Sequence, residues 1–389
     1  MYPVPGVCYF SFMKIIRLWA VLFCLAPLAI AAQDAETLYN EGVKLKEQKK
    51  VREALEKFKK AVSLKPDYSQ AWYESGWCQN DLKDYKGAII SLRNARVGWP
   101  NIPKVWFELG YAFHKTDNID SATYMYNRCL ELKPDYSNAF KQLGFIAYDA
   151  DESKKALEYF AKFEGAAKSE ITDYLYWYRK GFCLNATKDY TGAITALQRS
   201  LELKKDYLNT YLELGFANTR LKNADLAISY FQQAMNLDPK SHVPYNGIGE
   251  VYRDIKKDMN EAMNWYRKTL TVKENERKAC FGIGFCLNAQ GKYAEAIPYL
   301  ETAIKQEATY TAAYQEIGYS YYRTGDYEKG LSNLKKALEL NPKNENARYY
   351  AVLVYVKQKN KAQAQKMVDE LKALSSKYVA ELQKMVDNM

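Results

Sequence analysis

Nine glycines, Gly42, Gly76, Gly110, Gly144, Gly181, Gly215, Gly249, Gly284 and Gly318, recur at intervals of 34, 34, 34, 37, 34, 34, 35 and 34 residues. A fixed period of this length confines the chain to an array of like units, each touching only its neighbours. The apolar residues around each glycine fall at helical spacing, in two stretches of about a dozen residues per unit. Twelve residues after the glycine stands a second small residue, at Ala54, Ala88, Ala122, Ala156, Ala193, Ala227 and Ala296, with Ala262 displaced by one and Gly330 in the ninth unit. Small residues at both places remove bulk where the two helices of a unit press closest. Pro66, Pro100, Pro134, Pro239 and Pro342 end second helices, because proline has no N–H for the next helical hydrogen bond. The pattern predicts an all-α chain of antiparallel helix pairs.

Numbered within the unit, the residues are bulky at 4, apolar at 7, Gly at 8, Ala at 20, bulky at 24, small at 27 and Pro at 32. The second unit carries Trp72, Gly76, Ala88, Leu92, Ala95 and Pro100, and the third Trp106, Leu109, Gly110, Ala122, Tyr126, Cys129 and Pro134. Over residues 35 to 344 the chain resembles the tetratricopeptide-repeat (TPR) family. The resemblance implies a right-handed superhelical solenoid with nine repeats at 35–68, 69–102, 103–136, 137–173, 174–207, 208–241, 242–276, 277–310 and 311–344. Residues 345–389 read as a degenerate tenth repeat, in which Val352 replaces the glycine, and a polar C-terminal capping helix over Ser376–Asn388. The fourth repeat runs three residues over the period, and the seventh one residue. The Gly165–Asp173 connection that results is either a bend dividing four repeats from the rest or a longer loop with unbroken stacking.

Residues 1–32 read as a signal peptide whose true start is Met13: Lys14 and Arg17 are its positive region, Leu18–Ala26 its apolar core, and Ala29–Ala32 its cleavage site. Export to a periplasm or secretion is expected, with no stable membrane insertion after signal cleavage. An uncleaved anchor helix is the alternative, and it leaves the repeats on the same side.

No catalytic, cofactor or metal site is expected. The two histidines, His114 and His242, stand four repeats apart, and the Gly247-Ile248-Gly249 and Gly282-Ile283-Gly284 runs lie inside helices, where packing explains them better than nucleotide binding does. Acidic residues read as scattered over loops and the outer face. The net charge of +10 is spread without a dense block, so no nucleic-acid partner is expected. Cys78, Cys183 and Cys286 share position 10, three repeats apart, and the six residues between Cys280 and Cys286 separate them by roughly 9 Å of helix. With Cys129, these read as buried thiols with no disulfide.

The resemblance further implies that first helices line an inner, concave face. Position 9 there carries Trp77, Tyr111, Phe145, Phe182, Phe216, Phe285 and Tyr319, and position 5 carries Tyr39, Tyr73, Phe107, Tyr178, Phe281 and Tyr349. Rings along a groove suit a protein or peptide partner held by apolar anchors. At position 9 the alternative is core packing between first helices; at position 5 exposure is expected. The basic clamp of chaperone-binding members is not reproduced, and Asn246, Glu250, Arg253 and Asp254 interrupt the stripe with a patch that either fixes register or is solvated. The chain is thus expected to be a non-catalytic interaction scaffold, the alternative being a glycan- or cell-wall-binding module.

Overall fold

The computed structural model describes residues 33–389; the expected leader lies outside the described residues. All regular structure among them is helical, and the chain divides into two units between Ile171 and Thr172, within the long Gly165–Asp173 connection. The first unit holds α1 (33–47), α2 (Val51–Leu64), α3 (Ser69–Asp81), α4 (Tyr85–Gly98), α5 (Pro103–Lys115), α6 (Ile119–Leu132), α7 (Ser137–Asp149) and α8 (Ser153–Ala166). The second continues with α9 (Tyr174–Ala186), α10 (Tyr190–Leu203), α11 (Leu208–Arg220), α12 (Ala224–Leu237), α13 (Val243–Val251), α14 (Met259–Val272), α15 (Arg277–Ala289) and α16 (Tyr293–Gln306). It ends with α17 (Thr311–Thr324), α18 (Tyr327–Leu340), α19 (Glu345–Lys357), α20 (Lys361–Ala373) and α21 (Val379–Asp387). Odd-numbered helices up to α19 are first helices, and each pairs with the even-numbered helix after it.

The position-8 glycine is a socket for the bulky residue at position 24. A Cβ on Gly76 would lie 2.4 Å from Leu92, and one on Gly144 2.4 Å from Phe160. Tyr126, Leu197, Phe231 and Leu300 fill the same socket in other repeats. In the tenth repeat both partners change together: Val352 at position 8 meets a repeat whose position 24 is Val368, and both are buried. The Gly-Ile-Gly runs serve the same packing, with the Tyr266 ring between Gly249 and Gly282 at 2.6 and 2.4 Å from the places their Cβ atoms would take.

Successive repeats are clasped by the bulky residue at position 4. Trp72 Nε1 donates to the Pro66 carbonyl at 2.8 Å and Trp106 Nε1 to that of Pro100 at 2.7 Å. Tyr211 makes the same bond at 2.9 Å to Lys205, the residue that replaces the expected proline, because the clasp uses only the carbonyl.

Several second helices begin at capped turns: Asp84 accepts from Gly87 N at 3.0 Å and Asp189 from Gly192 N at 2.9 Å. The turn itself passes through the left-handed region, at Lys83 (φ 64°), Lys188 (69°) and Lys222 (63°), and at Gly291 and Gly325. The extra residue of repeat seven is absorbed as a π-helical segment, Tyr252–Lys256, just before the turn. At the C-terminus α21 lays the buried Leu382 and Val386 on the last pair. All five cysteines among the described residues are buried, as expected, and burial pushes the Cys78 and Cys129 thiols up to about 12.

Candidate functional site

Among the described residues, a cleft opens along the first helices in each unit, and the two are built from equivalent residues. The first, about 330 Å³, is lined by Trp77, Asn80, Tyr85, Phe107, Glu108 and Tyr111, with Lys83 and Lys141 at its rim. The second, about 590 Å³, is lined by Phe182, Asn185, Tyr190, Glu213 and Phe216, with Lys188 and Arg220 at its rim. Position-9 rings of two successive repeats form opposite walls. The tyrosine that starts the second helix packs edge-on against the farther ring: Tyr85 on Tyr111 with centroids 6.3 Å apart, Tyr190 on Phe216 at 6.3 Å.

The floor is polar. Asn80 Nδ2 donates to the backbone carbonyl of Glu108 at 3.1 Å and to its carboxylate at 2.8 Å. Asn185 makes the same two bonds to Glu213, at 3.1 and 2.8 Å. A third junction repeats the arrangement in the second unit, where Asn288 bonds Glu316 at 3.1 Å twice. Burial raises the carboxyls of Glu108, Glu213 and Glu316 above the ordinary value, and the asparagine amides partly offset this.

Of the candidate rings, Trp77, Phe107 and Tyr111 meet in the first cleft, and Phe182 and Phe216 in the second. Phe145 is instead buried against Phe160, centroids 6.0 Å apart. Tyr319 stacks on Tyr350 at 4.5 Å, and Phe285 lies under Arg253 at 5.5 Å. The expectation of exposure at position 5 is corrected: Tyr73 and Tyr178 are buried, and Tyr39, Phe107, Phe281 and Tyr349 are half-buried. Tyr73 faces Trp99 at 6.2 Å, and the tyrosine that ends the repeat covers others, as in Tyr178–Tyr207 at 5.0 Å, Phe107–Tyr136 at 5.1 Å and Phe281–Tyr310 at 5.0 Å.

Two further readings change. The acidic residues are not confined to loops and the outer face, since Glu74, Glu108, Glu213 and Glu316 all stand at position 6 of first helices and face a junction. In the repeat-seven patch, Asn246 is buried and bonds Glu276 at 2.8 Å, which caps α15 through Ala279 N at 2.8 Å. That asparagine holds the junction together. Glu108, Glu213 and their asparagine partners escaped the sequence reading, although one signal was present: asparagine occurs at position 12 in the same three repeats that carry cysteine at position 10.

The family pattern described as Tetratricopeptide repeat matches residues 39–101, 103–136, 174–207, 208–241, 278–310 and 321–386. The chain belongs to the tetratricopeptide-repeat family. This TPR protein is 25% identical over 224 residues to anaphase-promoting complex subunit 3 of Schizosaccharomyces pombe, a match covering 54% of this chain and 33% of that one. It is 22% identical over 382 residues to human protein O-mannosyl-transferase TMTC3, covering 90% and 40%. It is 26% identical over 305 residues to the TPR repeat-containing protein MJ1428 of Methanocaldococcus jannaschii, covering 74% and 53%. The matches thus span between a third and about half of these relatives' own length. Among solved structures, the APC/C hetero-tetramer Cut9–Hcn1 shares the fold with a TM-score of 0.52 at 13% identity, over 94% of this chain and 98% of that one. The TPR fold, and with it a scaffold for protein–protein interaction, is what these likenesses support in common.

Proposed function

We propose that this TPR protein is exported and grips a partner protein by a segment laid across its first helices, with no catalysis of its own. The observation that carries this reading is the repeated cleft, whose half-exposed rings stand over a polar floor in each unit. Rings of this kind bury area at low entropic cost, and the amide and carboxylate below them fix orientation by hydrogen bonding. The charged, signal-like character of Met13–Ala32 supports export.

Affinity capture from an extract of the source cell, with the chain starting at Gln33, tests the groove. A protein retained by the wild type is expected to be lost by at least about tenfold from Trp77→Ala with Tyr111→Ala, or from Phe182→Ala with Phe216→Ala, at unchanged helical circular dichroism. Equal retention by both double variants would rule out the clefts. For export, N-terminal sequencing of material recovered outside the cytoplasm is expected to begin at Ala32 or Gln33.

A further inference from the structure

Six side chains mark the clefts as copies of one three-repeat unit. Cys78, Asn80, Tyr85, Glu108, Tyr111 and Lys115 recur 105 residues later as Cys183, Asn185, Tyr190, Glu213, Phe216 and Arg220. They recur again after a further 103 as Cys286, Asn288, Tyr293, Glu316, Tyr319 and Arg323. At all three places the residue at position 12 reaches the glutamate at position 6 of the next repeat.

The junction of repeats one and two has the same glutamate and ring but a different residue at position 12. There Lys46 pairs with the Glu74 carboxylate, with its ammonium 4.8 Å from the centroid of the Trp77 ring. Repeat seven offers a second case, with Arg253 at position 12 placing its guanidinium 5.5 Å from the Phe285 ring. Position 12 thus twice delivers a cation onto the position-9 ring, once against the glutamate beside it.

Asparagine leaves that demand partly unmet. In the first cleft one Glu108 oxygen accepts from Asn80, and no protein group among the described residues donates to the other. Glu213 stands the same way with Asn185. The Asn80 and Asn185 side-chain oxygens are buried without a donor among the described residues, on side chains of residues only 6% and 4% exposed. The third junction differs at just these atoms. Ser320 donates to the Asn288 oxygen at 2.7 Å, and Gln315 to the second Glu316 oxygen at 3.1 Å. The equivalents of Ser320 are Ala112 and Ala217, which have nothing to donate. Lys115 and Arg220 lie over the outer rings at 5.4 and 4.8 Å and make no ion pair with either glutamate.

We propose that the Asn80–Glu108 and Asn185–Glu213 clefts each receive a lysine side chain from the partner segment, its ammonium set between carboxylate and ring as Lys46 is between Glu74 and Trp77. This rests on the groove reading above and names what the groove selects. The third junction, already satisfied by its own serine and glutamine, takes none.

Fluorescence anisotropy with labelled hexalysine, its fully Nε-acetylated form and hexaglutamate tests this on the full chain. Hexalysine is expected to bind at least about tenfold tighter than the acetylated form. The Glu108→Gln, Glu213→Gln double variant is expected to lose about that factor. Glu108→Gln and Glu213→Gln keep the asparagine bond and so keep the fold. Glu316→Gln, which removes a like charge, is expected to change affinity by less than about twofold, well below the tenfold steps expected of the cleft carboxylates. Lys46→Met, which vacates the Glu74–Trp77 junction, is expected to add one hexalysine equivalent by calorimetry. Equal loss from Glu316→Gln, equal binding of the acetylated peptide, or tighter binding of hexaglutamate would each overturn the lysine assignment. If both lysine peptides bind alike and both are lost when Trp77→Ala, Tyr111→Ala, Phe182→Ala and Phe216→Ala are combined, the groove stands and only the ammonium site falls.

Discussion

The socket at Gly144 shows how much one residue carries. A methyl group there would sit 2.4 Å from the Phe160 ring, which is itself fully buried and has no room to retreat. Gly144→Ala is therefore expected to cost about 1–3 kcal/mol, measured as a lower denaturant midpoint. Glu316 gives a pH signature. Burial raises its carboxyl, so the folded chain holds a proton that the unfolded chain has released. Stability from this group therefore falls as pH rises through the window between the unfolded value, about 4.3, and the raised folded one. Glu316→Gln is expected to raise Tm at neutral pH, and the gain should shrink as the pH is taken down toward the unfolded value. The sockets were legible in the sequence because glycine costs a helix stability, and its return at a fixed period inside helices points to close contact between them. The Asn–Glu bonds were not, because each joins position 12 of one repeat to position 6 of the next, a pairing that superposing repeats does not display. Exposure at position 5 was misjudged for a related reason, since the covering tyrosine comes from the far end of the repeat.

At the scale of the element, the turn between paired helices holds an unspent reserve of stability. Lys222 sits at φ 63°, where a side chain costs about 1–2 kcal/mol and glycine nothing. Lys222→Gly gives back about 0.5–1 kcal/mol through the freer unfolded chain, so a net gain of roughly 0.5–1 kcal/mol is expected in chemical denaturation. At the cap beside such a turn, Asp189→Ala is expected to cost about 1 kcal/mol in the same assay, because the Gly192 N–H loses its acceptor. Helix pairs and their order were readable from apolar spacing and proline stops. The left-handed lysines were not: local preference puts glycine at such turns, as at Gly291 and Gly325, whereas at Lys83, Lys188 and Lys222 an exposed lysine takes the same conformation. The extra residue in repeat seven was visible as a count, while its absorption as a π-helical segment depends on where the backbone can widen without moving Asp258 from its cap on Glu261 N.

Over the whole molecule, the chain parts into two units where the period lengthens, and residues 167–173 carry no helix. Limited trypsin digestion is expected to cut first after the exposed Lys168, leaving both fragments intact, as mass spectrometry would show; a first cut inside a helix pair would contradict the division. Four junctions carry glutamate at position 6 of the following repeat, and position 12 before it is lysine at one of them and asparagine at three. Lysine there answers the neighbouring glutamate from within the chain, and asparagine leaves that glutamate half answered. Lysine and asparagine codons differ only in their third base. A lineage carrying this array can therefore open or close a junction by one transversion, leaving the helices untouched, and so retune how many places a partner finds without gaining or losing a repeat.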